Sequence, residues 1–341
     1  MGKNGKVIGP QDKFDQREVS FTRLGMGRLG EGPKNRWLEE STDPFWRILY
    51  AYTRKENSLV NHLRKAVDGS VKPEQAPVQN TQEMSKTIKD TASFFGADLV
   101  GITELDPAYV YSHRGRHTDA EDGCFGAEIN NTHKFAIVIG CEMDYERIKA
   151  SPSYFTDAET GRIYAEVAKT SIMLAEYIRE LGYPAKAHHF RQEEVIHSAL
   201  AVQAGLGELG RCGYVINPVL GPRFRTAVVT TDLPLATDSP IDAGVSEFCE
   251  ICMKCADNCP VKCIPKGPKK VVRGVEKWVV DGDQCIKFWA SKPDSYLCCA
   301  NCMKGCPFNK KDTWYHRVAT KLVSRSAPGR RFLLKIDNIF Y

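Results

Sequence analysis

Thirteen cysteines occur in this 341-residue chain, and most of them fall between residues 249 and 306. The run FCEICMKCADNCP places four of them at the Cys-x2-Cys-x2-Cys-x3-Cys-Pro spacing of a [4Fe-4S] loop: Cys249, Cys252, Cys255 and Cys259. Two-residue gaps let one short loop reach three corners of a cubane, and the proline turns the chain away after the fourth thiolate. This stretch therefore predicts an electron-transfer centre.

A second run, CCANCMKGCP, supplies Cys299, Cys302 and Cys306, and Cys285 stands upstream as the missing first thiolate. In two-cluster ferredoxins the last cysteine of each run binds the other cluster. We therefore predict two clusters, one held by Cys249, Cys252, Cys255 and Cys306 and the other by Cys285, Cys299, Cys302 and Cys259.

Other roles for these cysteines fit the spacing less well. Structural zinc is usually held by two cysteine pairs, and three evenly spaced thiolates exceed that need. A disulfide framework suits small secreted chains, and this chain is long and shows no secretory signal. The cysteines outside the two sets are expected to be small buried residues, with Cys298 able to replace its neighbour as a ligand: Cys124, Cys141, Cys212, Cys263 and Cys298.

Composition sets the broad class. Hydrophobic residues make up 42% of the chain, which is enough for one large domain and a small one. The formal charge of +5 is too modest to indicate a nucleic-acid partner. No apolar run is long enough to span a membrane, and the first twenty residues contain no export signal. A reducing cytoplasm is therefore the expected location, and the oligomeric state is not predicted.

Periodic patterns place helices and strands around the cysteines. Residues 1–44 are predicted to be an arm, followed by a helical pattern over 45–67. Further helices are predicted near 82–95, 161–181 and 193–204, and strands at 98–102, 135–143 and 227–233. Strands alternating with helices indicate an α/β fold, with the cysteine-rich segment appended after residue 245.

Two stretches match the GxGxxG pattern of dinucleotide loops, GMGRLG at 25–30 and GLGELG at 205–210. Neither follows a predicted strand and opens a helix, as such a loop should. Both are therefore expected to be tight turns. In the second stretch, Gly205, Leu206, Gly207 and Gly210 also leave room for the backbone to approach a large flat cofactor.

Several motifs, in order, resemble one family. FFGADLVGI, GRIYAEVA, AVQAGLGELGRCG, GPRFR, CIKFWA and TWYHR, together with the two cysteine runs, are similar to the corrinoid-dependent reductive dehalogenases. The resemblance covers about residues 94 to 317. It implies a nitroreductase-like cobalamin-binding core at 81–244 with a ferredoxin-like two-[4Fe-4S] module at 245–310. An arm and helix at 1–80 wrap the core, and a tail at 311–341 packs on it. Cobalamin would be base-off, and the chain lacks a DxHxxG motif that could supply a histidine ligand.

The resemblance assigns the chemistry to two residues. The family's proton-donating tyrosine falls on Tyr164 in GRIYAEVA, and its cationic partner falls on Arg225 in GPRFR. A guanidinium within about 4 to 6 Å of a phenol favours the phenolate. On residue type alone, the two are a half-buried aromatic and a surface cation. Trp289 in CIKFWA matches an aromatic near cofactor and substrate, although core packing explains a lone tryptophan equally well.

The chain departs from the family pattern between these two residues. An asparagine that some members carry has no clear counterpart in HHFRQEEVIHS. His188, His189 and Gln192 are candidates for that wall of the pocket, although surface exposure is the default expectation for each. The short C-terminal segment also leaves the pocket more open or differently lined.

The implied reaction is Co(I)-driven removal of halide from a halogenated organic substrate, with the proton coming from Tyr164. A ferredoxin or flavodoxin donor could dock on the lysines of the cluster segment, namely Lys254, Lys262, Lys266, Lys269 and Lys270, which otherwise form a solvated surface. One alternative is an epoxyqueuosine reductase-type corrinoid enzyme acting on tRNA, which would bind RNA with a steep salt dependence. Another is an electron or cobalamin carrier without catalytic activity, which would release no halide.

Overall fold

The computed structural model describes residues 6–9, 11–38, 43–45, 47–54, 57–291 and 299–340. Its helices are α1 (Ser20–Gly25), α2 (Glu31–Leu38), α3 (Leu59–Leu63), α4 (Thr81–Phe94), α5 (His117–Glu121), α6 (Tyr145–Lys149), α7 (Tyr154–Glu180), α8 (His197–Gln203), α9 (Val245–Ile251), α10 (Lys254–Asp257), α11 (Gly282–Trp289), α12 (Asn301–Lys304), α13 (Trp314–Arg325) and α14 (Ala327–Phe340). Its strands are β1 (Lys6–Val7), β2 (Leu99–Glu104), β3 (Phe135–Glu142), β4 (Ala185–His188), β5 (Glu208–Leu209), β6 (Val215–Ile216), β7 (Phe224–Thr231), β8 (Lys270–Val272) and β9 (Val275–Lys277). Within the described residues, no helix is both long and apolar enough to cross a membrane.

A four-stranded sheet in the order β2-β3-β7-β4 forms the centre, and every pairing in it is antiparallel. Side chains alternate between its two faces, as the period of a strand requires. Ile137 and Ile139 of β3 pack with α4 and α7, whereas Ala136 and Val138 pack with α8. The predicted α/β class and the strand predicted at 135–143 are confirmed. Helices cover both faces of an antiparallel sheet.

Helix α7 is the longest element and forms one wall of the core. The pattern predicted it from residue 161, but it begins at Tyr154 because Ser153 caps it, accepting a hydrogen bond from the amide of Thr156. It ends before Gly182, whose φ of +83° suits glycine. A Cβ at Gly182 would also lie 2.4 Å from the carbonyl oxygen of Glu74. The N-terminal segment thus passes directly over the end of α7.

Two predicted helices are shorter than expected. The pattern over 45–67 becomes a π-helical turn at Tyr50–Arg54 and a separate α3, because Ser58 has extended backbone before α3. The pattern over 193–204 gives a helix only from His197, since Val195 is extended and bridges Val110.

The arm and the tail both reach the cysteine-rich segment. Strand β1 pairs with β9, and the ring of Phe21 meets the ring of Trp289 edge to face at 5.6 Å. Near the other end of the chain, Leu333 and Leu334 of α14 pack against the buried cysteines. Both the N-terminal arm and the C-terminal helix α14 therefore pack against the cysteine-rich segment.

Candidate active site and cluster-binding cysteines

Four buried cysteines, which we call the first nest, come from three helices and the turns between them. Cys249 lies on α9, Cys252 just after it, Cys255 on α10 and Cys306 beyond α12, and each is at most 8% exposed. Burial raises the pKa of Cys249 to about 12 and that of Cys252 to about 11. Burial also raises the pKa of Cys306, with added effects from the first three thiols. Metal binding at this nest must therefore displace thiol protons.

The second nest comprises Cys259, Cys285, Cys299 and Cys302. Cys285 lies on α11 and Cys302 on α12. Burial and then the nearby Cys259 raise the pKa of Cys299. The last cysteine of the first run thus lies beside the second run, while Cys306 of the second run lies beside the first. This is the crossed arrangement that the spacing predicts.

Two further thiols point at the nests, which the spacing did not indicate. Cys212 is within hydrogen-bonding distance of Cys255. Cys263 lies with its sulfur 3.4 Å from that of Cys259 and is also hydrogen-bonded to Cys285. By contrast, Cys141 is a core residue of β3, as expected, and burial raises its pKa to about 12.

Among the remaining thiols, Cys124 is only partly buried, and Cys298 lies outside the described residues. No disulfide joins the cysteines that the structure describes.

A cavity of about 430 Å³ opens between α7, α8, β7 and α11. The three aromatic or cationic residues singled out from the sequence all line it: Tyr164 from α7, Arg225 from β7 and Trp289 from α11. Tertiary folding thus brings together residues that are up to 125 positions apart.

Tyr164 and Arg225 are in direct contact. The guanidinium carbon of Arg225 lies 5.6 Å from the centroid of the Tyr164 ring and equally far from that of Tyr214. On its other side, the guanidinium reaches the sulfur of Met303 on α12 at 3.9 Å. Arg225 is 8% exposed, so it is a buried cation and not a surface residue. It therefore connects the cavity to the helix that carries Cys302.

Sequence reasoning missed the polar wall of the cavity. Arg116 and Glu193, whose side chains are 14% and 8% exposed, form an ion pair there. Gln16 of the arm supports it by donating to the carbonyl oxygen of Glu193 and accepting from the amide of Gly115. His197 lies nearby with Nδ1 3.2 Å from the carbonyl oxygen of Thr226, and burial lowers its pKa to about 4. Arg116 lies in the 104–134 segment, and Glu193 and His197 lie in HHFRQEEVIHS, where no motif marks them.

The histidines proposed for the pocket wall are elsewhere. His188 and His189 are fully buried, so the default expectation of surface exposure was wrong for both. His188 contacts the hydroxyl of Thr230 at 2.9 Å inside the sheet. Their neighbour Phe190 lines the cavity instead and stacks on Tyr164, with ring centroids 4.3 Å apart. The chain turns at this point because Arg191 adopts a φ of +72°.

The GLGELG turn lies outside the cavity lining. A Cβ on Gly205 would approach the carbonyl oxygen of Ser239 to 2.6 Å, and one on Gly207 would approach that of Ile216 to 2.5 Å. A Cβ on Gly210 would lie 2.4 Å from the Ile216 side chain. Contacts within the protein therefore explain these glycines, and their cofactor role, like that of Leu206, stays a prediction.

The lysines of the cysteine-rich segment differ in their surroundings. Lys266 pairs with Asp257 at 2.5 Å and Lys269 with Glu250 at 3.1 Å. A separate cleft of about 330 Å³ backs onto Cys306 and is lined by four lysines and one acid, namely Lys149, Lys254, Lys304, Lys310 and Asp337. Within it, Asp337 of α14 pairs with Lys254 and, at 2.9 Å, with Lys310.

Known proteins similar to this chain point to one family, although no family model matches it. It is 35% identical over 302 residues to a tetrachloroethene reductive dehalogenase of Desulfitobacterium hafniense, covering 74% of this chain and 54% of that protein. It is 33% identical over 286 residues to the enzyme of the same name from Sulfurospirillum multivorans, covering 75% and 56%. The chain spans about half the length of the curated relatives it matches.

Solved structures agree with this result. The catabolic reductive dehalogenase NpRdhA, in complex with 3-bromo-4-hydroxybenzoic acid, superposes with a TM-score of 0.86 at 26% identity, over 100% of this chain and 48% of that one. An epoxyqueuosine reductase of Leadbetterella byssophila is more distant, at 26% identity over 67% of this chain and 80% of that protein. The chain belongs to the reductive dehalogenase family.

Proposed function

We propose that this chain removes halide from an organohalide, and that it would hold two [4Fe-4S] clusters and a cobalamin to supply the electrons for this reaction. The observation that carries the proposal is the contact of Tyr164 with Arg225 in a cavity that reaches the cluster helix α12 through Met303. A relative's structure is described as suggesting a mechanism for B12-dependent dehalogenation. Residues 81–244 would form the cobalamin-binding core and residues 245–310 a ferredoxin-like module.

The cysteines of the two nests fit iron-sulfur clusters. Eight buried or partly buried thiols from two runs converge in two groups, and the first and second nests would each hold one cluster. Burial raises the pKa of four of them, so metal binding there must displace thiol protons: Cys249, Cys252, Cys299 and Cys306. Bound clusters and cobalamin would supply the two low-potential electrons that cleavage of a carbon-halogen bond consumes.

The cavity wall fits a ligand that is edged with amides, as a corrin is. Two buried acceptors of this wall, His197 Nε2 and Glu193 Oε2, have no hydrogen-bond partner among the described residues. Such orphaned atoms are costly unless a ligand or water satisfies them. Carboxamide N–H groups at the rim of a corrin would donate to both.

Tyr164 would deliver the proton. Replacing halogen by hydrogen takes up two electrons and one proton and releases one halide. The Tyr164 hydroxyl gives its proton to the substrate carbon, and the phenolate that remains faces the buried charge of Arg225. A fixed cation in a site of low dielectric stabilises such a developing anion. Phe190, stacked on the Tyr164 ring, would hold the phenol in place.

Electrons would enter through the lysine-lined cleft beside Cys306. An acidic donor protein such as a ferredoxin or flavodoxin complements its charge. Four lysines face a single acid in the cleft, which leaves an excess of positive charge, whereas Lys266 and Lys269 are each matched by an acid of their own. This difference favours the cleft as the docking site. Of the lysines predicted from the sequence, Lys254 is the one that lines the cleft.

Halide release tests the proposal. The full chain, reconstituted with iron, sulfide and cobalamin without oxygen, would be reduced and mixed with halogenated phenols and alkenes. We expect halide from the wild type, and Tyr164→Phe to be slower by about 10² to 10⁴, the usual loss for a proton donor. Tyr177→Phe, on the same helix but outside the cavity lining, is the matched control and should be unaffected.

Two outcomes would overturn this function. Turnover of an epoxyqueuosine-containing tRNA stem-loop without halide release would favour the tRNA-reductase alternative. Intact cofactors with no turnover of any substrate would favour a carrier.

A further inference from the structure

Cys263 has the geometry of a ligand, although neither cysteine run requires it. Its sulfur is 3.4 Å from that of Cys259 and within hydrogen-bonding distance of Cys285. It is also close enough to Cys299 to affect its pKa. Three of the four thiols of the second nest thus surround it, and it is only 6% exposed.

The backbone holds Cys263 in this position. Lys262, just before it, has a φ of +53°, a conformation that non-glycine residues adopt only when their surroundings impose it. The carbonyl oxygen of Cys263 accepts a hydrogen bond of 2.9 Å from the amide of Asp281. Asp281 in turn caps α11, the helix that carries Cys285, by accepting from the amide of Gln284. Cys263 and Cys285 are therefore held in register by one short chain of hydrogen bonds.

Cys285 is one of two members of the second nest that are only partly buried. It stands fourteen positions before Cys299 and is partly exposed, whereas Cys263 is buried. Cys263 also follows Cys259 at the same x3 spacing that ends each cysteine run. With Cys263, the second nest thus has five thiols available for the four irons of one cluster.

We propose that Cys263 is an alternative iron ligand of the second nest and exchanges with Cys285 on one iron. In the exchange, the Cys263 thiol loses its proton as its sulfur binds iron, and the released Cys285 thiolate takes up a proton, so no electron is gained or lost. This inference rests on the proposed presence of clusters and adds a ligand to one of them. It predicts that the second cluster survives loss of Cys285.

Iron content tests the exchange independently of dehalogenation. Wild type should hold about eight irons, as two four-iron clusters require. We expect Cys285→Ala to keep about eight irons with an altered electron paramagnetic resonance spectrum of the reduced form, and Cys285→Ala/Cys263→Ala to fall to about four. Cys285→Ala/Cys124→Ala is the matched control, because the sulfur of Cys124 contacts Asp119 and no cysteine of either nest, and it should resemble Cys285→Ala alone.

Alkylation of the folded, cluster-loaded protein provides a second measurement that needs no double variant. In Cys285→Ala, mass spectrometry should find Cys263 protected from iodoacetamide until the iron is chelated. Loss of about four irons in Cys285→Ala, or alkylation of Cys263 at the same rate before and after chelation, would overturn the proposal. A wild type that binds no iron would refute the cluster assignment itself.

Discussion

Removing the charge of Arg225 should slow proton delivery. Arg225→Met keeps the length of the side chain and removes the cation that lies 5.6 Å from the Tyr164 ring. With that distance as the charge separation and an effective dielectric constant of 20, the attraction between guanidinium and phenolate is ~3 kcal/mol. If the proton is fully transferred in the transition state, the rate falls by about a hundredfold, and if it is half transferred, by about tenfold.

The assay is a single turnover of prereduced enzyme in excess over substrate, with halide measured after rapid quenching. Arg225→Lys is the control, because it retains a positive charge and should recover part of the rate. Arg225 also contacts Met303 beside the second nest, so iron content and the reduced-cluster spectrum must match wild type before rates are compared. A rate for Arg225→Met within twofold of wild type, with both cofactors intact, would refute the role given to this charge.

Three further predictions concern the surroundings of the site. Glu193→Gln leaves the largely buried Arg116 without its carboxylate and should cost ~3 kcal/mol, seen as a lower melting temperature. Glu146→Gln, at an exposed pair, should cost less than ~1 kcal/mol, and equal losses in the two variants would contradict this explanation. Burial lowers the pKa of His189 to about 4 in the folded protein, below the ~6.5 of an unfolded chain. Above pH ~6.5 the histidine is neutral in both states and does not change stability with pH. Below that pH the unfolded state takes up a proton before the folded state does, so the protein loses stability. His189→Gln should therefore lose less stability than wild type between pH 7 and pH 5, by ~2 kcal/mol in urea titrations, and parallel losses would exclude this histidine as the cause. Lys149→Glu should slow reduction of the enzyme by an acidic donor protein at low salt and leave its reduction by dithionite unchanged. Lys72→Glu, outside the cleft lining, should change neither rate. An unchanged rate of reduction by the donor protein in Lys149→Glu would remove this lysine from the docking site.

Local patterns predicted much of this protein because they depend on neighbouring residues alone. The cysteine runs follow from how a short loop reaches the corners of a cubane. Helix α7 follows from apolar periodicity over many residues, and strand β3 follows from a short, continuous apolar run. One of these predictions failed for a local reason. The backbone of Ser58 is extended, which interrupts the helix expected over 45–67.

The cavity wall could not be predicted in this way. From the sequence, His188 and His189 are expected at the surface, but both are fully buried where strand β4 ends. Phe190, the next residue, stacks on Tyr164. Arg116 and Glu193 are 77 positions apart, and each would be read as a solvated charge. Their pairing depends on how the 104–134 loop packs on the chain before α8.

From the sequence alone, one can derive two cysteine runs, the crossed thiols they imply, and a tyrosine and an arginine matched to a family. Tertiary structure alone decided that Arg225 lies buried over Tyr164 and that Cys263 joins the second nest. The physical reason is that spacing along a chain determines only contacts within a turn or a loop. Contacts between distant segments depend on strand register and on how helices pack across the sheet.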